Sequence, residues 1–441
     1  MAKGSHEIRD AIHVFIRYSS HERRVIDSLP FQRLRSIHQL ALSFLVYPGA
    51  THKRFEHSLG VMELAGRAFD VVTAQDNVTD VIRKSFPEIG DLQARPYWRT
   101  VLRMAALCHD IGHLPFSHAA EKELLPTGWT HERLTKEFIL SSEMQEIWKS
   151  MTPPLRADDV ARLAVGPDKA KELEFTQWHE LLSELIVGDA FGVDRIDYLL
   201  RDSLHTGVGY GRFDHHRLID TLRILPQAPL AGPDPSTETP ALGVERGGIH
   251  SAEALLWARY FMYSQVYFHH VRCIYNIHLR DFLADWLPGG QLPVALEALA
   301  EITDDEALAA IRVAAKSPSA KGHEPARRIV KREHFKLLYE RQPADVAKNP
   351  DAGEAISTAA RAEFGADNVR RERYKPKGAP LDFPVGGADG RSASSISISE
   401  TLQKIPVVNI DYVFIEPTLR EKAEVWLAKN RDDILEASAK E

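Results

Sequence analysis

Six long stretches of this 441-residue chain repeat their apolar side chains at helical spacing, over residues 22–43, 56–72, 98–111, 175–186, 193–203 and 252–287. Strand-like alternation is scarce. Apolar stripes of that length have to bury against one another, so the spacing predicts a mainly α-helical body across the first two thirds of the chain. Residues 227–248, with Pro229, Gly232, Pro233, Pro235 and Pro240, read as a surface loop inserted in that body. The texture changes after Ala344. Residues 370–387 carry Pro376, Gly378, Pro380, Pro384, Gly386 and Gly387 and read as loop or linker. Ser392, Ser394, Ser395, Ser397 and Ser399 follow, and residues 405–415 are rich in β-branched and aromatic side chains, as a strand is. The expected division is a helical core over residues 1–345 and a smaller mixed α/β region over 346–441.

With 44% hydrophobic and 27% charged residues, the chain has the make-up of an ordinary globular protein. Its 55 basic against 62 acidic residues, a net charge of -7, argue against a protein built to coat nucleic acid, although a nucleotide needs only a local pocket. The basic run Arg370, Arg371, Arg373, Lys375 and Lys377 is the segment that most favours a single-strand-binding module. Cys108 and Cys273 are too few for a disulfide framework, which points to a reducing cytoplasm. No run of about 18 apolar residues spans a bilayer and no signal pattern is legible, so a cytoplasmic protein without a membrane partner is expected.

Polar residues inside the helical stretches carry the chemistry. His109 and Asp110 stand side by side at the end of an otherwise apolar helix, where two ionisable groups are costly unless something satisfies both. A divalent cation does so. His57 lies in a second helical segment and Asp194 in a third, and ligands on separate helices can converge across a helical core. Two imidazoles and two carboxylates suit manganese, iron, magnesium, nickel or zinc and leave positions open for water and a phosphate oxygen. The residues do not choose among these metals.

A nucleotide-sized feature runs from the same place. Asp194, Tyr198 and Asp202 fall at i, i+4 and i+8, one helix face ~12 Å long at 1.5 Å per residue. Arg259, Tyr263 and Tyr267 repeat the four-residue spacing on another helix. Arg54, Arg195 and Arg259 are candidates for phosphate, since guanidinium groups offer paired donors to its oxygens. His118 is the candidate general acid or base, with a proton that exchanges near neutral pH, and Glu121, three residues on, is placed to orient its ring. Pro115 is expected to end the preceding helix and free the chain to turn toward the metal.

These residues belong to a longer ordered series. It runs through Phe31-Gln32-Arg33-Leu34-Arg35, Gln39-Leu40, Tyr47-Pro48-Gly49-Ala50, Arg54-Phe55-Glu56-His57-Ser58-Leu59-Gly60-Val61 and Leu107-Cys108-His109-Asp110-Ile111-Gly112-His113. It continues through Pro115-Phe116-Ser117-His118, Thr130-His131-Glu132, Val193-Asp194-Arg195, Asp197-Tyr198 and Arg201-Asp202. The series resembles the HD-domain deoxynucleoside triphosphate triphosphohydrolases, and among them most the catalytic core of the SAM-and-HD-domain branch, over roughly residues 8–275 and without a SAM domain.

The resemblance implies an HD-domain helical core that hydrolyses dNTPs to nucleoside and inorganic triphosphate. It implies that His113 and His131 contact phosphate or assist catalysis, that Tyr198 packs beneath the sugar, and that Asp202 and Gln39 bind the 3′-hydroxyl. Glu121, Arg195 and Tyr263 depart from the branch, which has aspartate, lysine and histidine at those places. Asp27, Gln32, Arg35 and Arg217 match positions that bind a nucleotide effector between subunits, whereas His6 and Glu7 do not reproduce their counterparts. A homo-oligomer, dimer or tetramer, with weakened or absent nucleotide activation is therefore expected; the alternative for Asp27 and Arg35 is an ion pair on a helix surface. Two rival functions remain: an HD phosphohydrolase acting on a nucleoside monophosphate or alarmone, and a decayed nucleotide- or single-strand-binding module.

Overall fold

A computed structural model describes residues 4–117, 121–227, 239–375, 381–387 and 391–437. Most are helical, with nine short strands in three sheets. The helices that build or brace the site are numbered here in chain order: α1 (Arg54–Val72), α2 (Ala94–Cys108), α3 (His131–Ile139), α4 (Val193–Thr206), α5 (Ile249–Met262) and α6 (Asp304–Ala314).

Local signals explain where these helices begin and end. Glu56 accepts the Lys53 N–H at 2.7 Å and so satisfies a free donor at the start of α1. Thr130 caps α3 by accepting from the Arg133 N–H at 3.2 Å. Gly207, at φ 77°, ends α4 in the left-handed conformation that glycine adopts without strain. Helix α1 packs against α2 and α4, and its Val61, Leu64, Ala65 and Ala68 join Met104, Ala105, Ile196 and Leu199 in the main apolar core.

Three stretches depart from their expected form. Residues 22–43 are not one helix: Ser20–Ile26 is followed by Leu29–Gln32 with Pro30 in its first turn, then by 3-10 turns Arg33–Ser36 and Ala41–Leu45. Proline lacks the N–H that a continuous helix needs there. Residues 252–287 divide into α5, a π turn at Tyr263–Tyr267, and a helix His270–Trp286. Nor is 227–248 a loop throughout. Strands β3 (Leu222–Gln227) and β4 (Thr239–Glu245) pair antiparallel, with Pro226 opposite Pro240, where the chain enters and leaves residues 228–238 outside the description.

An N-terminal hairpin, β1 (Ser5–Asp10) and β2 (Val14–Ser19), was not legible, because β1 holds Ile8 as its one apolar residue and β2 opens on the consecutive run Val14, Phe15, Ile16 instead of alternating. The later chain mixes strands and helices. Strand β5 (Lys336–Glu340), the fully buried β9 (Ile410–Ile415) and β6 (Val369–Tyr374) form an antiparallel sheet in the order β5-β9-β6. Helices Ala352–Phe364 and Arg420–Ala437 cover it, with Ile356, Val413 and Leu427 in its core. Thus part of 370–387 is strand rather than linker, and the pairing of its arginines explains how so charged a strand lies in a sheet. Arg371 bonds Asp411 at 2.8 and 2.7 Å and pairs with Glu354, while Arg373 pairs with Asp351 at 3.1 Å. Strands β7 (Pro384–Gly386) and β8 (Ser392–Ser394) return to β4, completing the sheet β3-β4-β7-β8. No described helix is long and apolar enough to cross a membrane.

Candidate active site

Helix α2 stops at Cys108, and His109 and Asp110 leave its C-terminal end in a tight turn rather than inside the helix. Pro115 therefore lies beyond the helix end and does not cause it. Gly112 makes the turn possible: a Cβ there would sit 2.2 Å from the Thr135 backbone nitrogen, so only glycine lets the turn press against α3. Opposite it, α1 presents His57 and α4 presents Asp194.

The four expected ligands meet. The His57 Nε2 lies 3.0 Å from Asp194 Oδ1 and 3.7 Å from Asp110 Oδ2. The His109 Nε2 lies 3.3 Å from Asp194 Oδ1 and 3.4 Å from Asp110 Oδ1. His57, His109 and Asp110 side chains are 1%, 4% and 8% exposed against 31% for Asp194, so the centre opens on the α4 side.

Tautomers are fixed from behind. His109 Nδ1 is 2.7 Å from the Ala106 carbonyl and His57 Nδ1 is 2.8 Å from Asp197 Oδ2, and both partners only accept. Each Nδ1 therefore carries a proton, which turns each Nε2 toward the carboxylates. The His109 Nε2 is buried without a hydrogen bond, as a nitrogen kept for a cation is. Two such nitrogens with two carboxylates fit a divalent metal ion.

The electrostatics agree. Burial alone would raise the Asp110 and Asp194 carboxyls, but Arg54, His109 and the hydrogen bond from His113 hold Asp110 well below its ordinary range, and His109 and His57 lower Asp194 likewise. Burial opposes protonation of His57, yet hydrogen bonds to Asp194 and Asp197 push it up to about 10. Positive charge is favoured at this point.

The other candidates fall into three groups. Around the turn, Arg54 donates to Asp110 and, at 2.8 Å, to Ser117 Oγ. His113 Nε2 is 3.2 Å from Asp110 Oδ1 and its ring stacks on His131, centroids 4.2 Å apart. Burial, then the nearby Arg54, hold His113 neutral. Glu121 accepts from His131 at the backbone N–H, 2.9 Å, and at Nδ1, 2.7 Å. His118 lies outside the described residues, and its relation to Glu121 with it.

Along α4, Asp202 is buried, with Oδ2 taking the Tyr267 hydroxyl at 2.7 Å and Oδ1 facing His52 Nε2 at 2.7 Å. Tyr198 stands between, edge-on to Tyr267 at 6.0 Å, and Tyr263 is edge-on to Tyr267 at 5.1 Å. The π turn, not a continued α-helix, brings Tyr267 to Asp202. Gln39 donates its backbone N–H to the His52 carbonyl at 3.0 Å, and its buried Oε1 has no hydrogen-bond partner among the described residues. Arg195 and Arg259 converge on Asp189, Arg195 through its carboxylate at 3.2 Å and Arg259 through its carbonyl at 3.2 Å.

The effector-site candidates are not gathered in one place. Asp27 pairs with Arg23 at 3.1 Å rather than with Arg35, Arg35 bonds Gln32 at 2.8 Å and lies over Phe55, and Arg217 faces Gly247 and Glu245. Sequence reasoning missed His52, Asp189 and the partners of Asp197. The (i, i+3) step from Asp194 to Asp197 was the one available signal for the last.

Comparison with known proteins follows the same division. Residues 54–201 match the HD domain family and residues 213–364 match the HD associated region. The chain is 35% identical over 262 residues to an uncharacterized protein of Methanocaldococcus jannaschii, covering 59% of this chain and 46% of that one. It is 33% identical over 248 residues to the uncharacterized protein YwfO of Bacillus subtilis, covering 56% and 48%. Deoxynucleoside triphosphate triphosphohydrolase SAMHD1 of Bos taurus is 32% identical over 238 residues, covering 49% and 38%. Each match thus spans about half or less of the relative's length. A solved structure of a hypothetical protein from Aquifex aeolicus covers 96% of this chain and is itself covered completely, with a TM-score of 0.76 at 29% identity. The chain carries an HD domain over residues 54–201, whose paired His109 and Asp110 stand just past the end of a core helix, followed by an HD-associated region over residues 213–364.

Proposed function

We propose that this protein hydrolyses deoxynucleoside triphosphates to deoxynucleoside and inorganic triphosphate with the help of a divalent metal ion. One observation carries the reading: α4 holds Asp194 against the two histidines and, two turns on, Asp202 as a buried carboxylate hydrogen-bonded by Tyr267 and His52. That spacing joins a phosphate-activating end to a hydroxyl-binding end at nucleotide length. The triphosphohydrolase activity that SAMHD1 is named for points the same way.

His57, His109, Asp110 and Asp194 would hold the ion, which supplies charge stabilisation at the α-phosphate and activates water. Asp202, held by Tyr267 and His52, accepts the sugar 3′-hydroxyl, with Gln39 beside it. Tyr198 forms the floor under the sugar and disfavours a 2′-hydroxyl. Arg54, Arg195 and Arg259 face the phosphates. His118 delivers a proton to the departing 5′-oxygen, while Glu121, His131 and His113 form a chain that orients Asp110 and the phosphate. Oligomers, dimer or tetramer, complete the reading, with nucleotide activation at Asp27, Gln32, Arg35 and Arg217 weakened or absent. The paired state of Arg371 and Arg373 speaks against the single-strand-binding alternative.

The test incubates the protein with each dNTP, rNTP and deoxynucleoside monophosphate across manganese, iron, magnesium, nickel and zinc. Triphosphate released from dNTPs, and lost in Asp194→Ala, is the expected outcome. Release of phosphate from monophosphates alone would move the assignment to the rival HD hydrolase class.

A further inference from the structure

The N-terminal hairpin inverts the usual burial pattern. At its turn the apolar Val14 and Phe15 are 55% and 43% exposed, while the side chains of the polar Asp10 and His13 are 4% and 1% exposed. Val14 also takes φ 66°, a left-handed conformation that a β-branched residue adopts only under strain. Burying polar groups and straining a valine both cost stability, so the contacts made by Asp10 and His13 must offset them.

Those contacts lead to His57. His13 Nε2 lies 2.7 Å from Asp197 Oδ1, across 184 positions of sequence. Arg201 bridges the two carboxylates, bonding Asp197 at 2.8 and 3.0 Å and Asp10 at 2.8 and 3.3 Å. Asp10 Oδ1 in turn accepts the backbone N–H groups of Ile12 and His13 at 2.9 and 2.8 Å, which shapes the turn. Asp197 is completely buried, and its other oxygen takes the His57 Nδ1–H at 2.8 Å. Each Asp197 oxygen therefore has two donors: His13 and Arg201 on Oδ1, His57 and Arg201 on Oδ2.

We infer that the hairpin belongs to the metal centre, with His13 and Asp10 acting as positioning residues that fix Asp197 and, through it, the orientation and tautomer of His57. The inference rests on the metal reading of His57 given above. Without the His13 donor, Asp197 is free to turn further onto Arg201 and release the His57 Nδ1–H. Partners of this kind, behind a metal-binding histidine, change metal affinity about 10–100-fold when removed.

The experiment measures Mn(II) affinity by titration calorimetry on the full chain, with folding followed by circular dichroism. His13→Ala removes the donor, and His13→Phe removes it while keeping the ring volume, so one variant carries the test if the other does not fold. His13→Gln keeps an N–H at similar reach. The expected result is Mn(II) binding weakened about tenfold or more in the Ala and Phe variants and restored close to wild type in Gln. Ala and Phe variants that bind Mn(II) like wild type would overturn the inference alone. A Gln variant as weak as Ala would overturn it too, by showing that packing and not the hydrogen bond matters. Wild-type protein that takes up neither Mn(II) nor iron, magnesium, nickel or zinc would overturn the metal reading and this inference together.

Discussion

Tyr267 donates its hydroxyl to Asp202 at 2.7 Å, although the two residues stand 65 positions apart and on different helical segments. The bond holds a buried carboxylate ready to accept a sugar hydroxyl. In Tyr267→Phe the carboxylate keeps only His52, and a hydrogen bond to a charged group is worth roughly 1.5–3 kcal/mol. The expected outcome is a loss of about tenfold or more in kcat/KM on dNTPs, mostly in KM, with little change on 2′,3′-dideoxy substrates that lack the hydroxyl. Equal losses on both substrates would count against the assignment of Asp202.

Gly60 shows how tightly α1 and α4 meet behind His57. A Cβ there would lie 2.0 Å from Asp197 Oδ1 and 2.6 Å from an Arg201 nitrogen. Both groups are buried and engaged, so neither can give way cheaply. Gly60→Ala is expected to destabilise the fold by roughly 1–3 kcal/mol in thermal denaturation. Gly90→Ala, where the nearest atom is a carbonyl oxygen at 3.8 Å, serves as the control and should change stability by less than about 0.5 kcal/mol.

Burial raises Glu184, on the helix Gln177–Val187, to about 7 against the opposing backbone hydrogen bond at Leu242. A carboxyl raised on folding stabilises the folded state fully below its unfolded pKa, ordinarily near 4.5, and loses that contribution as pH climbs through the folded value. Stability should therefore fall between about pH 4.5 and 7, by at most roughly 3 kcal/mol after allowing for partial solvent screening. Glu184→Gln should flatten this part of the profile, as measured by melting temperature against pH. An unchanged slope would show that other groups set it.

The effector candidates already have partners: Arg23 for Asp27, Gln32 and Phe55 for Arg35, Glu245 for Arg217. Adding GTP is accordingly expected to change neither turnover nor molecular mass in light scattering. A large rise in either would restore these residues to an activating site.

The helices that carry His57 and Asp194 were legible because their apolar repeats run unbroken from start to end, and the Asp194, Tyr198, Asp202 face followed from helical spacing alone. Pro30 and the π turn at Tyr263–Tyr267 escaped that reading, since a repeat of three or four residues continues across a local break. Strand β6 was hidden by its arginines, whose partners Glu354, Asp351 and Asp411 lie elsewhere in the chain. The support behind His57 was hidden for the same reason: His13 and Asp197 are 184 residues apart, and no local spacing announces such a pair.

In the proposed reaction water attacks the α-phosphorus and the bond from phosphorus to the nucleoside 5′-oxygen breaks. Hydrolysis of a dNTP in 18O-enriched water, followed by mass spectrometry of the products, tests it most directly. The expected result is one labelled oxygen in inorganic triphosphate and none in the deoxynucleoside, with the reaction abolished in Asp194→Ala. Label in orthophosphate or in a nucleotide product would contradict it.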